Sequence, residues 1–332
     1  MTYFNPDDHQ PNPDRSSPDS SQPSEAGASI PAASQTRAGE AANLGGIAVR
    51  QSSPSPTDSY LPPDLRISWS WAHLITFLVF GFASLLAIQA ILAVYLASGH
   101  HWTREQTEEA LIADPNFIVG SNVLWFAMLL LFLYITLSVL RELPFWRSLG
   151  WRKFHPPKLG ASHHAWLYLL GGCLLSLFVA AASSTVKDTG HIPIQELFNS
   201  RNGAMLLMAM AVLIAPLIEE TVFRGYLYPL FANKFARLAN RLGAEPALAV
   251  RRGMIASIVV TGTLFGLLHG AQLGWTWGLV SLLIVVGIVF TFARARAGTV
   301  LASFLLHLGY NGTIAITSVI ATHGFREMPR LH

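Results

Sequence analysis

From about residue 65 onward the chain alternates long apolar stretches with short polar ones. A helix rises 1.5 Å per residue, so about 20 apolar residues cross the hydrocarbon core of a bilayer. Seven stretches qualify, at about 70–97, 118–140, 164–187, 204–230, 254–271, 276–293 and 299–320. The pattern predicts an all-α fold, a polytopic membrane helical bundle of about seven transmembrane helices. The fifth and sixth stretches are short, and Gln272 to Trp275 reads as the turn between them. His100 to Asn116 is polar and acidic and reads as an external loop with a short helical turn. Pro144-Phe145-Trp146 and Trp151 read as an interfacial element, because Trp favours the headgroup level.

Residues 1–64 break this pattern. They hold ten of the nineteen prolines, are rich in Ser, Asn and Gln, and contain no apolar run long enough for a signal peptide. Such a segment cannot bury enough surface to offset the entropy of ordering it, so it is expected to be a disordered N-terminal tail. Pro62-Pro63-Asp64 marks its boundary with a membrane domain spanning 65–332.

Charge sets the orientation. With a cytoplasmic N-terminus, the inside loops carry Arg141, Arg147, Arg152, Lys153, Lys158, Lys234, Arg237, Arg241, Arg251, Arg252, Arg294 and Arg296. The outside loops carry Arg104 and Arg201, with Lys187 at a border. That asymmetry is the positive-inside rule, and a miscounted helix would scramble it. The chain is 52% apolar and 12% charged, against about 25% charged in a soluble domain. Its net charge of +3 is dispersed among the inter-helix loops, a pattern of membrane topology with no sign of a nucleic-acid surface. The single Cys173 excludes an internal disulfide framework and a Cys-based metal site.

Against this background a few polar residues inside the apolar stretches carry the chemistry. They fall into three groups: Glu219-Glu220-x-x-x-Arg224, Phe265-x-x-x-His269 and His307-x-x-x-Asn311. An ionisable group in hydrocarbon is costly, so such residues face one another or a wet cavity and mark function. Counted from the cytoplasmic helix ends, Glu219 lies ~16 Å deep, His269 ~22 Å, His307 ~12 Å and Asn311 ~18 Å. The depths match to within the error of the helix ends, so the groups are expected to converge.

Spacing assigns roles. Glu220 and Arg224, one turn apart, suit an i,i+4 ion pair, either purely structural or orienting Glu219. Glu219, rotated by ~100°, faces a different neighbour and suits a general base that deprotonates water. His269 would hold that water or protonate a leaving group. His307 and Asn311 share a face and would donate to a developing oxyanion. The plainer reading makes these residues hydrogen-bonding staples between helices. Pro216 cannot donate to the carbonyl of Val212, which predicts a kink there. Gly225, Gly266, Gly270, Gly309 and Gly312 would let helices approach closely around the site. Phe265 is expected to pack beside the site without chemistry. His73, His100, His101, His164 and His323 lie at helix ends or in loops and are read as structural.

The three motifs, in this order and on three membrane helices, resemble those of the CAAX protease and bacteriocin-processing (CPBP, also ABI) family, which includes the type II CAAX prenyl endopeptidases. The resemblance covers roughly residues 200–315 and is specific as a set. It implies an intramembrane endopeptidase acting on a membrane-embedded or lipidated protein or peptide. Glu219 and His269 would activate water, and His307 and Asn311 would stabilise the oxyanion. Family members are widely labelled metalloproteases, and Glu219, His269 and His307 would make a three-ligand site for a divalent metal such as zinc. A metal-free glutamate mechanism is preferred, because it alone gives Asn311 and the oxyanion role of His307 a purpose. Two other classes remain open: a non-hydrolytic scaffold or immunity protein on the same fold, and a transporter. The second lacks an inverted hydropathy repeat.

Overall fold

The computed structural model describes residues 59–100, 102–154, 164–186 and 200–326. Most of the predicted tail, residues 1–58, lies outside the described residues, as do His101, Lys158 and Lys187. The last residues before the predicted boundary are described and they pack on the bundle. Leu61 and Leu65 are buried, and Pro63–Leu65 forms a single helical turn.

The described residues are helical, with no strand among them. Among the described residues seven helices are long and apolar enough to cross a membrane. In chain order the elements are α1 (Trp71–His100), α2 (Arg104–Ala113), α3 (Pro115–Val139), the short α4 (Phe145–Ser148), α5 (Ala165–Ser183), α6 (Arg201–Arg241), α7 (Pro246–Leu268), α8 (Trp277–Ala297) and α9 (Val300–Ala321). Large apolar side chains such as Ile75, Phe82, Val94, Leu174 and Phe178 are exposed on the outer helices. Water would penalise such a surface, and acyl chains would not. The chain is thus a multi-pass integral membrane protein.

Local chemistry explains the element ends. Thr103 and Gln106 form a reciprocal capping box that starts α2. Asp114 caps α3 and Pro115 occupies its first position, where a missing N–H costs nothing. At the other face, α6 and α7 run on through residues 231–253, which hydropathy alone assigns to a loop. The charges of Lys234, Arg237, Arg241, Arg251 and Arg252 lower the hydropathy, yet Ala, Leu, Lys and Arg all favour helix. The connection shrinks to a tight turn: Gly243 adopts φ 88°, and the Glu245 side chain accepts from Leu248 N–H at the start of α7. At 41 residues α6 is roughly 60 Å long, about twice the hydrocarbon thickness, so it stands out of the membrane with α7 packed along it.

Around the centre, α7 packs on α6 and α8, and α9 packs on α5. The last contact requires glycine. A Cβ on Gly309 would collide with the Leu169 carbonyl and approach Cys173 N, and one on Gly172 would collide with the Leu306 carbonyl. Gly225 and Gly266 also sit against neighbouring backbone, whereas Gly312, expected at a close contact, faces open space. Buried Phe223, Tyr226, Leu230 and Phe265 join Trp69, Phe77, Leu133, Leu137 and Leu149 in the main core.

Candidate active site

Helix α6 is wound irregularly where it carries the polar motif. Two widened, π-helical stretches, Met210–Ile214 and Glu220–Leu227, flank a single α-helical turn, Ala215–Glu219. Pro216 accounts for the first. Ala215 N–H bonds five residues back to Met210 O, and in that register the next donor, to Ala211 O, would be Pro216, which has no N–H. The orphaned carbonyl is therefore that of Ala211, one residue before the position an α register predicts. Asn311 fills the gap: its Nδ2 donates to Ala211 O at 2.7 Å. An amide nitrogen has two hydrogens, so this contact leaves a second donor. Widened turns of this kind occur frequently at functional sites.

The consecutive glutamates face different neighbours, as their ~100° rotation predicts. Glu220 points into the bundle and is fully buried, as is Arg224. The predicted pair is present, with Arg224 Nη1 donating to Glu220 Oε1 at 2.8 Å. Helix α8 completes the coordination of the guanidinium: Nη2 donates to Gly287 O at 3.0 Å and Nε to Thr291 Oγ1 at 3.3 Å. The cation lies over the Phe265 ring at 4.5 Å and near Phe290 at 5.3 Å. Such stacking stabilises a desolvated guanidinium. Phe265 thereby packs against Arg224, His269 and His307, as its position beside the motif suggests.

Glu220 Oε1 also meets His307 Nδ1 at 3.0 Å. A carboxylate held by Arg224 is an acceptor, so Nδ1 of His307 carries the proton and donates. His269, at the C-terminal end of α7, has Nδ1 2.8 Å from Phe265 O. A carbonyl only accepts, so this nitrogen is also protonated, and in the uncharged tautomer that fits this bond Nε2 carries the lone pair.

Both Nε2 atoms turn toward Glu219. His269 Nε2 lies 4.0 Å from Oε1 and His307 Nε2 lies 3.9 Å from Oε2. These separations exceed a direct hydrogen bond and leave the carboxylate bracketed by two imidazoles. Glu219 is 17% and His269 22% exposed at the side chain, against 5% for His307. The cluster thus opens on the side of Glu219 and His269. Among the described residues no group of three or more His, Cys, Asp or Glu side chains is arranged to hold a metal ion.

All three sequence motifs meet here, from α6, α7 and α9. Sequence reasoning missed the supports: Gly287 O, Thr291 and Phe290 on α8, and Trp151, whose Nε1 donates to Thr221 Oγ1 at 3.1 Å. Thr221 and Thr291 are polar residues in apolar helices, a signal that was available; a backbone carbonyl leaves none. His73, read as structural, bonds Tyr226 OH at 2.7 Å and Thr136 Oγ1 at 2.9 Å.

No curated protein and no solved structure matches the chain. The stretch that carries the whole cluster, residues 201–313, matches the family model described as Type II CAAX prenyl endopeptidase Rce1-like, the family its three motifs resemble.

Proposed function

We propose that the chain is an intramembrane endopeptidase that cleaves a membrane-embedded or lipidated protein or peptide with a glutamate-activated water. The observation that carries this reading is the Glu219 carboxylate standing between two imidazole Nε2 atoms at about hydrogen-bonded-water distance. A water shared by Glu219 and His269 gives one proton to Glu219 and a second hydrogen bond to the His269 lone pair. The resulting hydroxide adds to the peptide carbonyl carbon. The oxyanion takes hydrogen bonds from His307 Nε2–H and from the second Asn311 N–H. Glu219 then returns its proton to the leaving amine, and the carbon–nitrogen bond breaks.

For His307 to donate from Nε2 while Nδ1 donates to Glu220, its ring must be an imidazolium. Glu219, Glu220, Arg224 and His307 then sum to zero charge, the least costly state in a low-dielectric interior. Glu220 and Arg224 act as positioning residues, since they hold His307 and touch no substrate.

A second reading is favoured by one feature. Both imidazoles have Nδ1 committed and Nε2 directed at Glu219, the arrangement of histidines that bind metals. Glu219, His269 and His307, which as they stand form no metal-holding group, would have to close on a divalent metal such as zinc, which would polarise the water as a Lewis acid. Metal analysis of the purified protein separates the two: stoichiometric zinc whose removal abolishes cleavage selects the second reading.

The primary test compares wild type with Glu219→Ala in detergent, using a quenched prenylated peptide and an unprenylated control. Loss of cleavage by at least about 100-fold with the fold intact is the expected result. Undiminished cleavage by Glu219→Ala would overturn the role of Glu219. Preference for the prenylated peptide would identify a lipidated substrate.

A further inference from the structure

Three buried hydrogen-bond donors gather at the loop end of the bundle, apart from Glu219. Arg294, in the last turn of α8, is 1% exposed. Its guanidinium lies over the Tyr228 ring at 5.6 Å, and its Nη1 reaches Asp64 Oδ2 at a long 3.4 Å. Its Nε has no partner, and neither has the hydroxyl of the fully buried Tyr228. The third donor is Nε of Arg152, on the loop after α4, also buried and unpartnered.

The backbone brings these groups together. Arg152 N–H donates to Thr299 Oγ1 at 3.2 Å, and the Thr299 hydroxyl donates back to Arg152 O at 2.7 Å. Val300 N–H donates to Gly150 O at 2.9 Å. Gly150, at φ +80°, lets this loop lie on the Arg294 guanidinium, since a Cβ there would be 2.8 Å from Nη2. Burial, and then the neighbouring Arg294 charge, holds the Arg152 guanidinium below its ordinary range, while Asp64 pulls the other way. Arg294 thus meets its one carboxylate at a poor distance, with the charge of a second guanidinium nearby. An unsatisfied buried donor is costly, and more so when charged.

An anion with several acceptor oxygens is the ligand that such orphaned donors favour. Guanidinium forks match phosphate oxygens, and a tyrosine hydroxyl supplies a further donor. Location favours a phosphate at the membrane interface. Arg294 lies seven residues, or ~10 Å, beyond Gly287, toward the helix end. Trp146, 47% exposed on α4, and Trp151, on the loop that follows, precede Arg152 in the chain, and such aromatic residues mark the headgroup level. We propose that Arg152, Arg294 and Tyr228 form a phosphate-binding site, with Asp64 occupying part of it as a competing carboxylate. The phosphate is that of an anionic lipid headgroup or one drawn from solution. The site does not depend on the protease reading.

The test is thermal unfolding of the full chain in phosphatidylcholine nanodiscs with and without phosphatidylglycerol, and in detergent with added inorganic phosphate. Stabilisation by phosphatidylglycerol alone identifies the headgroup as the source, and equal stabilisation by inorganic phosphate identifies the solution anion. In either case Arg152→Gln should weaken the apparent affinity about fivefold, the effect of one basic residue near a membrane surface. Asp64→Asn should tighten it, a gain that misfolding cannot imitate. The proposal is overturned if neither probe raises the unfolding temperature, or if both variants respond as the wild type does.

Discussion

Glu219 and Glu220 follow one another in the chain, yet one is 17% exposed between two imidazoles and the other is sealed against Arg224. Their substitutions should therefore have different consequences. Glu219→Gln should abolish cleavage and lower the unfolding temperature far less than Arg224→Ala, because it removes no fully buried hydrogen-bond partner. Arg224→Ala should destabilise the protein by about 3–5 kcal/mol, since it strands a fully buried carboxylate. Denaturant or thermal unfolding in detergent measures both, and a stable Arg224→Ala protein would contradict the account of the pair. At this scale the sequence was informative about contacts within a helix. The spacing of Glu220 and Arg224 announces their ion pair, because four residues make one turn. The contact of Glu220 with His307, 87 residues away, follows from how α9 is set against α6, which no local spacing encodes.

Helix α6 ties winding to chemistry. Pro216 leaves Ala211 O without a backbone donor, and Asn311 of α9 supplies one. Pro216→Ala restores an N–H that competes for this carbonyl, so Asn311 should lose its anchor. Cleavage should fall for Pro216→Ala and for Asn311→Ala, with the double variant falling by less than the sum. A coupling of about 0.5–3 kcal/mol in that cycle is expected, and strict additivity would separate the proline from the asparagine. A proline in an apolar stretch told of an interruption. It left the register undetermined, because α and π windings differ by a single hydrogen-bond shift that neighbouring helices select. Hydropathy likewise ended α6 near residue 230, where the chain leaves the apolar layer but the backbone remains helical to Arg241.

Across the whole molecule, glycines set how closely the helices stand. Gly309→Ala should destabilise the bundle by about 1–3 kcal/mol, because its Cβ meets the backbone of α5. Gly312→Ala, with nothing within 4 Å, is the control and should leave stability unchanged or slightly raised. The loop charges make a separate prediction about orientation. In a Cys173→Ser background, Arg241→Cys should react with an impermeant thiol reagent only from the cytoplasmic side, and Glu105→Cys only from the opposite side. The reverse pattern would invert the proposed topology.

The sequence by itself determined the helices, their number and the residues too costly to leave in lipid. Each of these follows from local hydropathy and from the price of an unpaired charge in hydrocarbon. By counting residues it also led one to expect Glu219, His269, His307 and Asn311 at similar depths, since rise per residue is constant along a helix. Tertiary structure alone decided which groups on different helices touch. It gave Glu220 to His307, Asn311 to Ala211 O and Arg224 to the backbone of α8. The rotation and separation of neighbouring helices depend on packing between side chains distant in sequence, and glycine contacts set that packing over the entire bundle.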